Sequence, residues 1–76
     1  MQNRTAINYL SDLSVLIKEK ALEAKARSDI SEDAFDQGYA LAFYDIVSLM
    51  QSQATAFGIS PAEISLGDID ADRDLL

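Results

Sequence analysis

The residues with most capacity for chemistry are carboxylates. Asp68, Asp70, Asp72 and Asp74 alternate strictly in the stretch "DIDADRD", and two further pairs, Glu19/Glu23 and Glu32/Asp36, stand four residues apart. Alternating aspartates open a calcium loop, whose D-x-D-x-D start supplies oxygen ligands. That loop requires glycine at its sixth position, where this chain carries Arg73, and a bidentate Glu at its twelfth, which would fall beyond Leu76. A calcium site is therefore not expected, and the alternation reads as a solvated or loosely docked acidic tail. Pairs four apart on a helix suggest a di-metal bundle, but such bundles combine inward Glu with Glu-x-x-His. The chain has no His and no Cys, so it lacks the usual base near neutral pH, the thiol nucleophile and the soft-metal ligands. The sequence also has no glycine-rich phosphate loop and no serine elbow motif. The expectation is a non-enzymatic protein with no cofactor and no metal.

Chemistry by surface is the alternative, and here charge is informative. The net charge of −7 is segmental: residues 1–28 carry five basic and three acidic side chains, residues 29–57 five acidic and none basic, and residues 58–76 five acidic and one basic. Affinity for phosphate comes from clustered Lys and Arg that displace counterions. Nucleic acid is thus disfavoured as a partner, and a basic protein is favoured. The candidate acidic surface is Glu32, Asp33, Asp36 and Asp45 with Asp68, Asp70, Asp72 and Asp74. The first three also have a structural explanation, because acids at a helix start lie at the positive end of its dipole.

Two long helices should position these groups. Ala6, Leu10, Leu13, Ile17, Ala21 and Ala24 are spaced four, three, four, four and three apart, one stripe of a helix from Asn3 or Thr5 to Arg27. The break falls at "RSDIS". Ser31 is placed to cap a second helix, with Ile30 and Phe35 set as a hydrophobic staple. That helix should run from Glu32 to Phe57 and close on Gly58 as a left-handed cap, with Ile59 folding back toward Ala54. A connection of about four residues predicts an antiparallel hairpin. The main stripe of the second helix, Phe35, Tyr39, Ala42, Phe43, Ile46, Leu49, Met50 and Phe57, should face the first. Ser60, Pro61 and Glu63 spell a capping box with proline at the first helical position, so a short turn should follow to Ser65 and stop at Gly67. Residues 1–66 thus form a helical hairpin domain with a short C-terminal turn, and residues 67–76 an acidic C-terminal tail.

The second helix has more apolar residues than one seam needs. Leu41, Tyr44 and Val47, with Val15 and Leu22 on the first helix, lie off the main stripes and are the candidate dimer or partner interface. A chain of 76 residues leaves little volume for a core, and without Cys or His it has no disulfide or zinc staple. Self-association is the remaining route. The expected fold class is all-α: two long antiparallel helices plus a short C-terminal helical turn, pairing into a dimeric four-helix bundle. Near the N-terminus Asp12 and Lys18 interrupt the best apolar stretch, which predicts neither a signal peptide nor a membrane span and makes the cytoplasm the expected location.

The stretch "GYALAFYDIVSLMQSQATAFGI", residues 38–59, together with the ending "DIDADRDLL", resembles small uncharacterised bacterial helical-hairpin proteins. The resemblance covers about the second half of the chain, implies a bacterial cytoplasmic origin and transfers no activity. The hairpin architecture is also similar to Rop-like dimeric bundles, which bind RNA. That analogy would assign RNA contacts to Lys18, Lys25 and Arg27, here interleaved with Glu19 and Glu23. The expected function is a small dimeric protein-interaction module, an adaptor or inhibitor presenting acidic surface to a protein partner. The alternative is a Rop-like RNA-binding four-helix bundle. A third possibility is a subunit whose role depends on a neighbour.

Overall fold

The computed structural model describes residues 4–76. Four helical pieces follow one another: α1 (Arg4–Asp29), α2 (Ala34–Ala56), a 3-10 turn (Pro61–Ile64) and α3 (Ala71–Leu75). The fold is all-α, with two long helices and a short C-terminal helical element in a rod of 49 × 19 × 17 Å. Helix α1 extends two residues past Arg27, and Asn3, one of its two expected starts, lies outside the described residues.

Local chemistry explains most of the boundaries. Helix α2 begins at Ala34, two residues later than expected, because Asp33 rather than Ser31 is its cap and accepts the Phe35 N–H at 3.0 Å. Ser31 acts one step earlier: its hydroxyl accepts from the Asp33 N–H at 3.1 Å and donates to Asp36 at 2.8 Å. The expected staple does not form, since Ile30 and Phe35 are both exposed and polar turns alone set the entry angle. At the other end, Gly58 adopts φ 74°. Ile59 N–H then donates to Ala54 at 2.8 Å and Gly58 N–H to Thr55 at 3.0 Å, the paired bonds of a glycine-closed helix. Ser60 and Glu63 form the expected reciprocal capping box.

Packing departs from expectation in one decisive respect. The fully buried positions of the two long helices are mostly small, Ser14, Ala21 and Ala24 on α1 and Ala40, Val47 and Ala54 on α2, with Leu10, Ile17, Phe43, Tyr44 and Met50 partly buried against the core. Small side chains let two helices approach closely, and the Ser14 hydroxyl is satisfied within its own helix by donating to the Leu10 carbonyl at 2.7 Å. The larger buried groups come from elsewhere. Ile64, Leu66, Ile69 and Leu75 all belong to the chain after α2, which lies across the hairpin as a third layer.

Of the two readings of residues 68–76, solvated or docked, the structure has the docked one. Ile69, Ala71 and Leu75 are buried, while Asp68, Asp70 and Asp72 point to solvent between them. Side chains of both long helices fasten the segment. Gln51 donates to the carbonyls of Leu66 at 3.0 Å and Ile69 at 2.8 Å, and Lys18 donates to Ser65 at 3.1 Å and to the Asp68 carboxylate at 2.8 Å. The Ser11 and Ser65 hydroxyls share a hydrogen bond of 2.6 Å. The third layer also turns α2. With Val47 rather than Ile46 at the centre of burial, the aromatic stripe expected to face α1 lies mostly on the side away from the C-terminal segment.

Candidate functional site

The apolar face left open by this rotation is the candidate site. At about 100° per residue, Phe35, Tyr39, Ile46, Leu49 and Phe57 fall on one arc of α2, and Tyr9, Leu13 and Leu16 fall on the matching arc of α1. Tyr9 is 68% exposed, Phe35 69%, Leu49 63% and Phe57 75%. Their rings are organised: Phe35 stacks on Tyr39 with centroids 5.8 Å apart, and Tyr39 meets Phe43 edge-on at 5.2 Å. Where the face reaches the open end of the hairpin it deepens into a groove of about 400 Å³. Leu10, Leu49, Met50, Phe57 and Ile59 are among its lining residues, with Gln53 as the one polar side chain among the described residues. Such a surface can bind apolar groups.

The residues expected at an interface are divided by the structure. Val47 is fully buried inside the chain, and Tyr44 is half-buried under the C-terminal segment with its hydroxyl donating to Asp72 at 2.6 Å. That hydrogen bond, helped by desolvation and the nearby Asp72 charge, raises the Tyr44 pKa above its ordinary 10.0. Val15 is half-buried beside a hollow shared with Lys18, Ala62, Ser65, Gly67 and Asp68. Leu41 and Leu22 remain exposed. The second apolar surface of the hairpin thus receives the chain's own end at Val15, Tyr44 and Val47.

Most of the acidic candidates have internal partners. Asp33 caps α2, Asp36 accepts from Ser31, Asp72 accepts from Tyr44, and Asp70 caps α3 by accepting the Arg73 N–H at 3.2 Å. Asp68 is held below the ordinary carboxylate range first by its hydrogen bond from Lys18 and then by the Lys18 charge. Asp74 pairs with Arg73 and accepts the Asp70 N–H at 2.9 Å, which together bring it down to about 2. Arg73 is correspondingly raised. Glu32 and Asp45 are exposed on the surface. No group of three or more His, Cys, Asp or Glu side chains among the described residues is arranged to hold a metal ion. Among the same residues, no helix is long and apolar enough to cross a membrane.

Sequence reasoning placed the aromatic stripe correctly on one face of α2 but assigned all of it inward, where only Phe43 and Met50 pack against the core, and it gave no site role to Tyr9 or Leu16. A signal for the true seam was present. Ala40, Val47 and Ala54 are spaced by seven, as are Ser14 and Ala21, and small residues at that interval mark a close helix contact. Comparison with protein-family models, with curated proteins and with solved structures returns no match.

Proposed function

We propose that this chain is a non-enzymatic, homodimeric protein-interaction module that associates through its aromatic face and presents acidic side chains to a basic protein partner. One observation carries the reading: Tyr9, Phe35, Leu49 and Phe57 are exposed together on a single face. A full aromatic side chain carries roughly 150–250 Å², so the exposed parts of Tyr9, Phe35, Tyr39 and Phe57 amount to roughly 400–600 Å². Leu16, Ile46 and Leu49 enlarge the patch toward the ~800 Å² per partner of a specific interface, beyond the few hundred Å² usual on a monomer. Burial of the face by a second copy leaves Asp45 of α2 and the exposed Asp68, Asp70 and Asp72 of the third layer outward, where a basic protein can meet them.

An RNA-binding role is the weaker reading. Of the three cations it needs, Lys18 is paired with Asp68 and Lys25 with Asp29, which leaves Arg27. The test is light scattering after size exclusion over a wide concentration range, on the wild type and on Leu49→Glu. We expect a two-chain mass for the wild type that the variant reduces to one chain; a folded wild type of single-chain mass would overturn the dimer. For the acidic surface, capture of a basic partner should weaken as salt passes ~0.15 M, where the screening length is about 8 Å. Capture indifferent to both salt and Asp45→Asn would remove that part of the proposal.

A further inference from the structure

Two copies related by a two-fold axis can bring these faces together in two ways. An axis along the helices lays α1 over the partner's α2. An axis across them lays α1 over α1 and α2 over α2. Both give antiparallel neighbours, so helix geometry alone does not choose between them, but charge and shape do.

Helix α1 carries five basic and four acidic side chains, whereas α2 carries two acidic and no basic ones and is preceded by Glu32 and Asp33. Stacking α2 antiparallel on α2 would leave Glu32 and Asp33 at the far end of the partner's α2, a helix with no basic side chain to meet them. Crossing α1 over the partner's α2 instead keeps the two hairpin turns at the same end of the dimer. Arg27, exposed near the end of α1, then comes to the level of the partner's Glu32 and Asp33. Tyr9 lies eighteen residues before Arg27, about five full turns away on the same line of the helix.

That line carries Tyr9 to the groove. Leu10, its neighbour, already lines the groove of its own chain beside Leu49 and Met50, so the arrangement with α1 over α2 brings Tyr9 level with the partner's groove. Among the described residues the groove is lined by apolar side chains and Gln53, and a tyrosine is an apolar ring with one polar tip that needs a partner when buried. We propose that the occupant of the aromatic face is a second copy docked with α1 across the partner's α2. Tyr9 fills the groove between the partner's Leu49 and the partner's Phe57, with its hydroxyl on the amide of the partner's Gln53.

This inference rests on the dimer proposed above, and its test separates the two. The chain has no cysteine, so single cysteines report proximity without background. Leu10 and Met50 share a level, which puts Leu16 level with about residue 44 and next to Ile46 on the open face. Mixed Leu16→Cys and Ile46→Cys chains should oxidise to one covalent dimer, and neither variant should link to itself. Self-linking of Leu16→Cys, which lies near the middle of α1, would establish the other arrangement and overturn this one, as would a two-chain mass with no mixed link. A single-chain mass fails the dimer itself. For the groove, Tyr9→Phe should weaken the dimer by about three- to tenfold, the worth of one hydrogen bond, and Gln53→Ala in the same chain should add little more. Additive losses from the two substitutions would overturn the seating of Tyr9 on Gln53.

Discussion

Two glycines show how differently the same residue is used. A Cβ on Gly67 would stand 2.9 Å from both Cα and Cβ of Ala62, closer than real side chains come, whereas one on Gly38 would meet nothing within 4 Å. Gly67 is thus where the third layer passes tightly over the 3-10 turn, and Gly38 is an unforced glycine in a helix interior. Gly67→Ala should cost about 1–3 kcal/mol, the range for overpacking a fitted site. Gly38→Ala should add about 0.5–1 kcal/mol by removing backbone freedom from the unfolded chain. Urea denaturation of both variants checks the pair, and equal effects would mean that Gly67 is not a close-approach site.

At the scale of elements, the C-terminal segment is the part whose attachment depends on ionised groups. Asp68 is lowered by Lys18 and Asp74 is lowered to about 2 by Arg73 and the Asp70 N–H. A carboxylate with a depressed folded-state pKa contributes stability above its ordinary value, 3.8 here, and loses it as pH falls through the folded value. Protonation of Asp68 loosens the tether to α1, and protonation of Asp74 frays α3. Tyr44 has the opposite sign: its pKa is raised, so its bond to Asp72 contributes fully below pH 10.0 and is lost as pH rises through the elevated value. The segment should therefore stay docked from about pH 4 to about pH 10 and loosen on either side. Methyl NMR of Ile69 and Leu75 against pH reads this directly. Tyr44→Phe should reduce the alkaline arm by the Tyr44–Asp72 contribution and leave the acid arm in place.

On the scale of the whole molecule, a thin rod with an alanine-rich seam gains by covering its aromatic face. If a second copy covers it, unfolding is coupled to dissociation and the apparent stability depends on protein concentration. The Tm of the wild type should rise with concentration, and that of Leu49→Glu should not. Calorimetry over a hundredfold range of concentration decides the matter. A concentration-independent wild-type Tm would show that the face contributes nothing to stability through self-association.

Local chemistry by itself determined the two long helices, the glycine closure at Gly58 and the capping box at Ser60, because each depends on residues within a turn of one another. Apolar periodicity likewise identified both apolar arcs of α2. Only the tertiary structure decided which arc turned inward. By side-chain size the Phe35 to Phe57 stripe outranks Ala40, Val47 and Ala54, yet the smaller set is the fully buried one, and of the stripe Phe43 and Met50 pack against the core. The choice depends on Ile64, Leu66, Ile69 and Leu75, distant in sequence, folding back to fill the space beside a close seam. The same return of the chain turned the aspartate alternation from an expected tail into the solvent side of a docked layer. Periodicity records how apolar a face is; what covers that face depends on contacts between segments far apart in the chain.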